Sequence, residues 1–322
     1  MMKLRGAAIA FMALMLGTAV PASAQTAPAP LNIGTLRIAS QTPTWAAEKY
    51  GIFEKNGIKA NFVFFNNGAD GVNALQGRSV DVLLAIFGSG ITAMSRGFDL
   101  APIFQDEISR KTPPDTSGIQ VLSDSGIKSL KDLVNKKLAV GGLHTQNTIA
   151  VTTLLKKSGV DIKSIRMVEI PFPAMFAALK AKTVDAVNAV DPFTTQIRMS
   201  GISDVLAYNY IETIPEQPLG VWFTRKSTLE ANADVLARFT KSLEESADML
   251  KADSAKARRE IVEFTKLDAS VVDAMPIANW NSQVDLKKWQ AVIDMLIEAG
   301  DLPKGYTASS LITPILRPYV KP

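Results

Sequence analysis

One stretch of this chain is written twice. Leu75-Gln76-Gly77-Arg78-Ser79-Val80-Asp81-Val82 returns as Leu179-Lys180-Ala181-Lys182-Thr183-Val184-Asp185-Ala186, each time closing an apolar helix pattern and opening a hydrophobic strand. Two copies this far apart imply two similar lobes. Two alike α/β lobes have a natural place for a ligand in the cleft between them, and 322 residues, 47% of them apolar, supply material for two cores.

The N-terminus carries Lys3 and Arg5, an apolar run from Ala7 to Val20, and then Pro21-Ala22-Ser23-Ala24. That order predicts a secretory signal peptide over residues 1–24, cleaved after Ala24. The run is too short to span a bilayer, so an exported, periplasmic mature chain without a transmembrane helix is expected. The chain has no cysteine, which leaves neither disulfides nor a lipid-anchored cysteine available. The net charge of +4 shrinks to +2 once Lys3 and Arg5 are removed with the leader. No basic cluster is interleaved with aromatics, which argues against nucleic-acid binding.

Along the chain, strand-like and helix-like segments alternate. Strand Leu36 to Ser40, helix Pro43 to Asn56, strand Ala60 to Asn66, helix Gly68 to Gly77, strand Val80 to Phe87 and strand Leu100 to Asp106 make a first lobe. The Pro/Asp/Ser-rich stretch Lys111 to Ser117 reads as a loop and Ile119 to Leu122 as a crossing strand. A second lobe repeats the alternation through Asp191, and strand Gly220 to Thr224 returns the chain to the first. The expected organisation is lobe 1 from residues 31–121 and 220–322, with lobe 2, residues 122–219, inserted between crossings near Leu122 and Leu219. Ser227-Thr228-Leu229-Glu230 reads as a capping box opening the last, helical part.

In open α/β sheets the ligand crevice lies beyond the carboxyl ends of the strands. The joints there single out Gln41, Thr42, Trp45, Asn67, Phe87 and Ser89 in the first lobe, and His144, Thr145, Gln146, Phe172, Asp191 and Phe193 in the second. Thr42, Ser89, Thr145 and Asp191 are also plausible helix caps, and capping alone accounts for residues of their type. Helix tips converging on one cleft favour a carboxylate, a sulfonate or another polar acceptor group. The aromatic residues suit a ring-bearing or partly apolar ligand. Asp191 is placed to accept a hydrogen bond from an amine, amide or hydroxyl.

Catalytic chemistry finds little support. His144 is the single histidine, and no G-x-S-x-G elbow accompanies it. Ser125-Gly126-Ile127-Lys128 matches S-x-x-K, but neither S-D-N nor K-T-G is present. With no cysteine and no carboxylates at ligand spacing, neither a metal site nor a cofactor is expected.

Glu48-Lys49-Tyr50-Gly51-Ile52-Phe53-Glu54-Lys55-Asn56-Gly57-Ile58 resembles the E-x-G-(F/Y)-F stretch of the nitrate/sulfonate/taurine class of ABC-transporter solute-binding proteins. Ser125 to Leu130, with Asp132-Leu133 and Lys136-Lys137-Leu138-Ala139-Val140, is similar to that family's S-G-I-K-S-x-x-D-L-x-G-K-x-(I/V)-A-V. Asn135 stands where glycine is usual, and both enter left-handed backbone readily. Pro173-Ala174-Met175, Ala177-Ala178-Leu179, Val184-Asp185-Ala186 and Asp191-Pro192 look like the family's second-lobe run, with Asp191 replacing the frequent glutamate. The resemblance implies a type II periplasmic binding protein fold, two α/β lobes joined by a two-strand hinge. It further implies that the lobes close on a small anionic or polar organic solute and hand it to a membrane permease and its ATPase. His144-Thr145-Gln146 departs from the small residues common at that loop, so no particular solute carries over. A same-fold thiamine-pyrimidine biosynthetic enzyme and a receptor for a membrane sensor are the competing readings. A monomer suits hinge closure.

Overall fold

The computed structural model describes residues 28–65 and 68–322; the expected signal peptide and Asn67 lie outside them. Strands are β1 (Ala29–Thr35), β2 (Ile58–Phe64), β3 (Val82–Ile86), β4 (Ala101–Ile108), β5 (Ser117–Leu122), β6 (Lys137–Val140), β7 (Arg166–Glu169), β8 (Ala186–Val190), β9 (Ser203–Ala207), β10 (Pro218–Thr224) and β11 (Asn279–Trp280). They form two sheets, ordered β11-β4-β10-β3-β1-β2 and β7-β6-β8-β5-β9. Parallel pairs β1–β2, β1–β3, β6–β7 and β6–β8 carry the α/β alternation. β10 runs antiparallel between β3 and β4, and β5 antiparallel between β8 and β9. These are the α/β lobes expected of a type II periplasmic binding fold.

The duplicated stretch has the same local physics in both sheets. Arg78 (φ 65°) and Lys182 (φ 56°) occupy the same left-handed position at the helix end. In the first copy Ser79 N–H donates to Ala74 O at 2.9 Å; in the second Thr183 N–H donates to Ala178 O at 3.1 Å. The aspartates that follow stitch neighbouring strands in the same way. Asp81 Oδ2 accepts from Asn32 N–H at 2.9 Å and Asp185 Oδ2 from Lys137 N–H at 2.8 Å. The repeated Asp therefore fixes strand register at the edge away from the cleft. Asn135 adopts φ 62°, as a glycine substitute should.

Several boundaries move. The first strand is Ala29–Thr35, not Leu36 to Ser40, because Leu31, Ile33 and Thr35 are the inward residues. Pro30 is tolerated there because it lies beyond the register with β3, where no ladder donor is needed. The expected helix Pro43 to Asn56 breaks into Thr42–Lys49 and Ile52–Lys55 at Gly51, whose φ is +68°. Strand Ser117–Leu122 pairs wholly within the second sheet, so the first crossing is residues 109–116 rather than Leu122. The Ser227 capping box does not form. The helix Lys226–Ala231 is preceded by Arg225 with no side-chain cap, and the Ser227 hydroxyl reaches Asp99 instead. A capping box does form at Ser129 and Asp132.

One apolar cluster joins the halves. Ile149 and Ala150, from the helix Gln146–Lys157 of the second half, are buried with Phe87, Trp289 and Leu296 of the first. Gly90, in the helix Phe87–Ser95, faces the buried Phe223 so closely that an added methyl overlaps the ring. Ordinary helix propensity favours Gly→Ala by up to ~1 kcal/mol, whereas overpacking a core costs about 1–3 kcal/mol. Packing should win. Gly90→Ala is expected to lose about 1–2 kcal/mol in urea unfolding, and a variant as stable as the parent would contradict this packing.

Candidate ligand cleft

The carboxyl ends of β3 and β4 on one side and of β6 and β8 on the other meet around two crossings. At the base, Ser109 N–H donates to Gln217 O at 2.9 Å, and Gln217 N–H returns to Ser109 Oγ at 3.1 Å. Asp191 N–H donates to Thr116 O at 2.7 Å, and Arg110 N–H to Asp115 Oδ1 at 3.2 Å. This brings Glu107, Asp115 and Asp191, from three separate segments, within electrostatic reach of one another.

The burial of these acids has a cost. Glu107 is pushed up to about 8 by burial, helped by the charges of Asp106, Asp115 and Asp191. Burial raises Asp106 to about 7 and raises Asp115 as well. Burial also raises Asp191 to about 6, against the pull of Thr195 and Arg198. Asp191 Oδ1 accepts from Thr195 N–H at 2.9 Å, but Oδ2 of both Asp191 and Asp115 is shut from solvent without a protein partner. Desolvated acceptors of this kind are costly unless something supplies a donor.

The candidate residues named from the sequence divide into distinct roles. Gln41 is buried and its Oε1 holds Thr35 Oγ1 and Leu36 N–H, which fixes the first loop. Thr42 is buried and its hydroxyl donates to Ala39 O at 2.8 Å; it is the first helical residue rather than the cap. Trp45 is half-buried and stacks on Phe264 at 5.9 Å, with its indole N–H unpartnered. Phe87 lies in the core, 4.4 Å from the Trp289 ring. Ser89 is exposed and sits inside a helix whose N-cap is Ile86, so it caps nothing. Thr145 does cap, accepting from Thr148 N–H at 3.2 Å.

His144 is 79% exposed and pairs with Asp301 at 3.2 Å across the seam between the halves. Gln146 is buried at the same seam. Its Oε1 accepts from Gly88 N–H at 2.7 Å, and its Nε2 donates to Gln217 Oε1 at 3.0 Å and Pro218 O at 2.8 Å. Phe172 lies against Gly141, where only glycine leaves room for the ring, and stacks on Phe193 at 6.5 Å. Sequence reasoning missed Glu107, Arg110, Asp115, Arg198 and Gln217. The signal for Glu107 was available: Gln105-Asp106-Glu107 are three polar residues in a strand buried along its whole length. Among the described residues no group of three His, Asp or Glu side chains is placed to hold a metal ion.

Because Glu107 binds its proton more tightly when folded, the folded state holds more protons than the unfolded between about pH 4.5 and 8. Its contribution is therefore most favourable at acid pH and is lost as pH rises through that window. Glu107→Gln should flatten the fall in melting temperature between pH 5 and pH 8 and raise it at pH 8, followed by circular dichroism. An unchanged slope would contradict the burial of an uncompensated acid here.

The family model described as NMT1/THI5 like matches residues 39–257. A putative binding protein of Brucella abortus is 22% identical over 263 residues, covering 80% of this chain and 79% of that one. The periplasmic aliphatic sulphonate binding protein SsuA from Escherichia coli superposes with a TM-score of 0.74 at 20% identity, covering 89% of this chain and 98% of that one. The periplasmic nitrate-binding protein NrtA from Synechocystis does so with a TM-score of 0.70 at 13% identity, covering 92% and 86%. The chain belongs to the NMT1/THI5-like family and shares the fold of these periplasmic binding proteins.

Proposed function

We propose that this chain is the solute receptor of an ABC importer, capturing a small polar organic molecule between its two sheets and delivering it to a membrane permease driven by a cytoplasmic ATPase. One observation carries the reading: buried acceptor oxygens of Asp115 and Asp191 stand without protein partners where the crossings meet the strand ends. A group that desolvated is stabilised by a donor that only a guest brings. The names of the similar proteins, a putative binding protein, a sulphonate-binding protein and a nitrate-binding protein, support the same class of role. The charged and apolar leader supports export, with the mature chain starting at Gln25 and working as a monomer in the periplasm.

His144 bears on the enzyme alternative. A reactant histidine needs access to substrate in the cleft, whereas this one is held on the surface against Asp301.

The test is a thermal-shift screen of the chain from Gln25 onward against organic acids, sulfonates, amines, amides and pyrimidines. A solute at a hundred times its Kd adds about 2.7 kcal/mol to stability. The expected result is a clear upward shift for one chemical class, lost in part in Asp191→Ala, whose affinity should drop by about 1–3 kcal/mol. A screen in which no compound raises the melting temperature contradicts the receptor reading.

A further inference from the structure

We propose that the cleft takes a solute with an apolar body and a hydrogen-bond-donating nitrogen head in preference to an oxyanion, and that Gln146 closes the helix tip at Gly88 to anions. The proposal rests on the receptor reading above and narrows its solute.

Helix tips attract anions through free N–H groups and a partial positive charge. Three of the tips here are already engaged, whereas the helices Thr42–Lys49 and Phe172–Lys180 start without a side-chain cap. The helix Phe87–Ser95 has no side-chain cap of its own, and its Gly88 N–H donates to Gln146 Oε1 at 2.7 Å. A Cβ on residue 88 would stand 2.9 Å from that oxygen, so glycine maintains the close approach. Gln146 is 1% exposed, and its amide is tied to Gln217 and Pro218. An oxyanion arriving at this tip must therefore displace a buried neutral acceptor and strand its NH2 group, which carries a penalty of its own. In the second half, the tip of the helix Gln146–Lys157 is capped by Thr145. The first turn of the helix Phe193–Met199 meets the carboxylate of Asp191.

The unpartnered buried groups on the floor are chiefly acceptors. Asp115 is 1% exposed, and its Oδ2 and that of Asp191 lack partners. Each neighbouring guanidinium group gives one N–H to a carbonyl: Arg198 donates to Ala274 O at 2.7 Å and Arg110 to Ile277 O at 3.3 Å. Arg110 Nε is open too, beside the charge of Asp115. A second carboxylate or a sulfonate brought here would meet like charge, while an N–H group would find acceptors waiting.

The walls are apolar. Ile38, Ile86 and Leu143, at the carboxyl ends of β1, β3 and β6, are 40%, 41% and 44% exposed. Phe172 and Phe193 form a stacked pair at the ends of β7 and β8. Large side chains left bare at the strand ends of both sheets suit the body of an apolar guest.

The experiment holds the body constant and varies the head. Benzylamine, benzamide, benzoate and benzenesulfonate are titrated calorimetrically into the parent chain, Gln146→Ala and Asp115→Asn, with near-ultraviolet circular dichroism confirming folded samples. The amine or the amide should bind the parent at least tenfold more tightly than either anion, and which of the two wins separates a cationic head from a neutral one. Asp115→Asn should weaken that binding about tenfold. Gln146→Ala should raise affinity for benzoate or benzenesulfonate at least tenfold; should it fail to fold, Gln146→Asn, one methylene shorter, replaces it. Equal or tighter binding of the anions to the parent overturns the selection and leaves the receptor reading standing. Absence of binding by the amine and the amide also overturns the selection, whereas the receptor reading falls only if the wider screen is empty as well.

Discussion

Gln217 is the residue on which the two halves depend. Fully buried, it pairs its backbone with Ser109 where the two crossings touch. Its amide NH2 donates to Tyr210 O and Ile214 O, which fixes the second crossing. Its Oε1 accepts from Gln146, whose own carbonyl holds Gly88. A chain of neutral, fully satisfied hydrogen bonds thus runs from one sheet to the other through the crossing, and such buried networks specify a single arrangement. The cleft floor beside it is the opposite case: Asp115 and Asp191 each leave a buried oxygen without a partner, and Glu107 is a buried acid among like charges. Structure and candidate site are therefore distinguished by polar bookkeeping rather than by residue type.

Much of this fold was legible in the sequence, because it is carried by local patterns. The repeat gave the equivalence of Arg78 with Lys182 and of Asp81 with Asp185, and both pairs behave alike. Hydrophobic alternation placed most parallel strands. The failures have local causes. Pro28 and Pro30 masked the first strand, since proline reads as a break although the strand's start tolerates it. The first crossing was set too late because the strand Ser117–Leu122 is buried and apolar, and periodicity cannot say which sheet a strand joins.

The site was less legible, for a reason particular residues make plain. Position at a strand end singled out both Gln146 and Asp191, yet Gln146 spends its amide within the protein while Asp191 leaves an oxygen without a partner. Phe87 shares the same topological position and faces the core. Spacing identifies the joint; only the neighbours determine which way a side chain is used. Glu107, Asp115 and Arg198 come together through non-local pairing of both sheets, which no local pattern encodes.

The two contacts between the halves differ in kind. The seam at the helix Gln146–Lys157 is continuous apolar core, with Ile149 and Ala150 packed beside Trp289. At another point the helix Phe193–Met199 meets the helix Ala269–Ala274 through Arg198 and the carbonyl of Ala274. Motion that admits a guest should pivot about the first and open the second, since one charge-assisted bond yields more readily than a core. Nitroxide labels at the exposed Gln196 and Ser270 measure this opening directly by electron–electron double resonance. The account predicts a longer, broader distance in the empty chain that contracts when a bound solute is present; one distance that is the same with and without solute would contradict it.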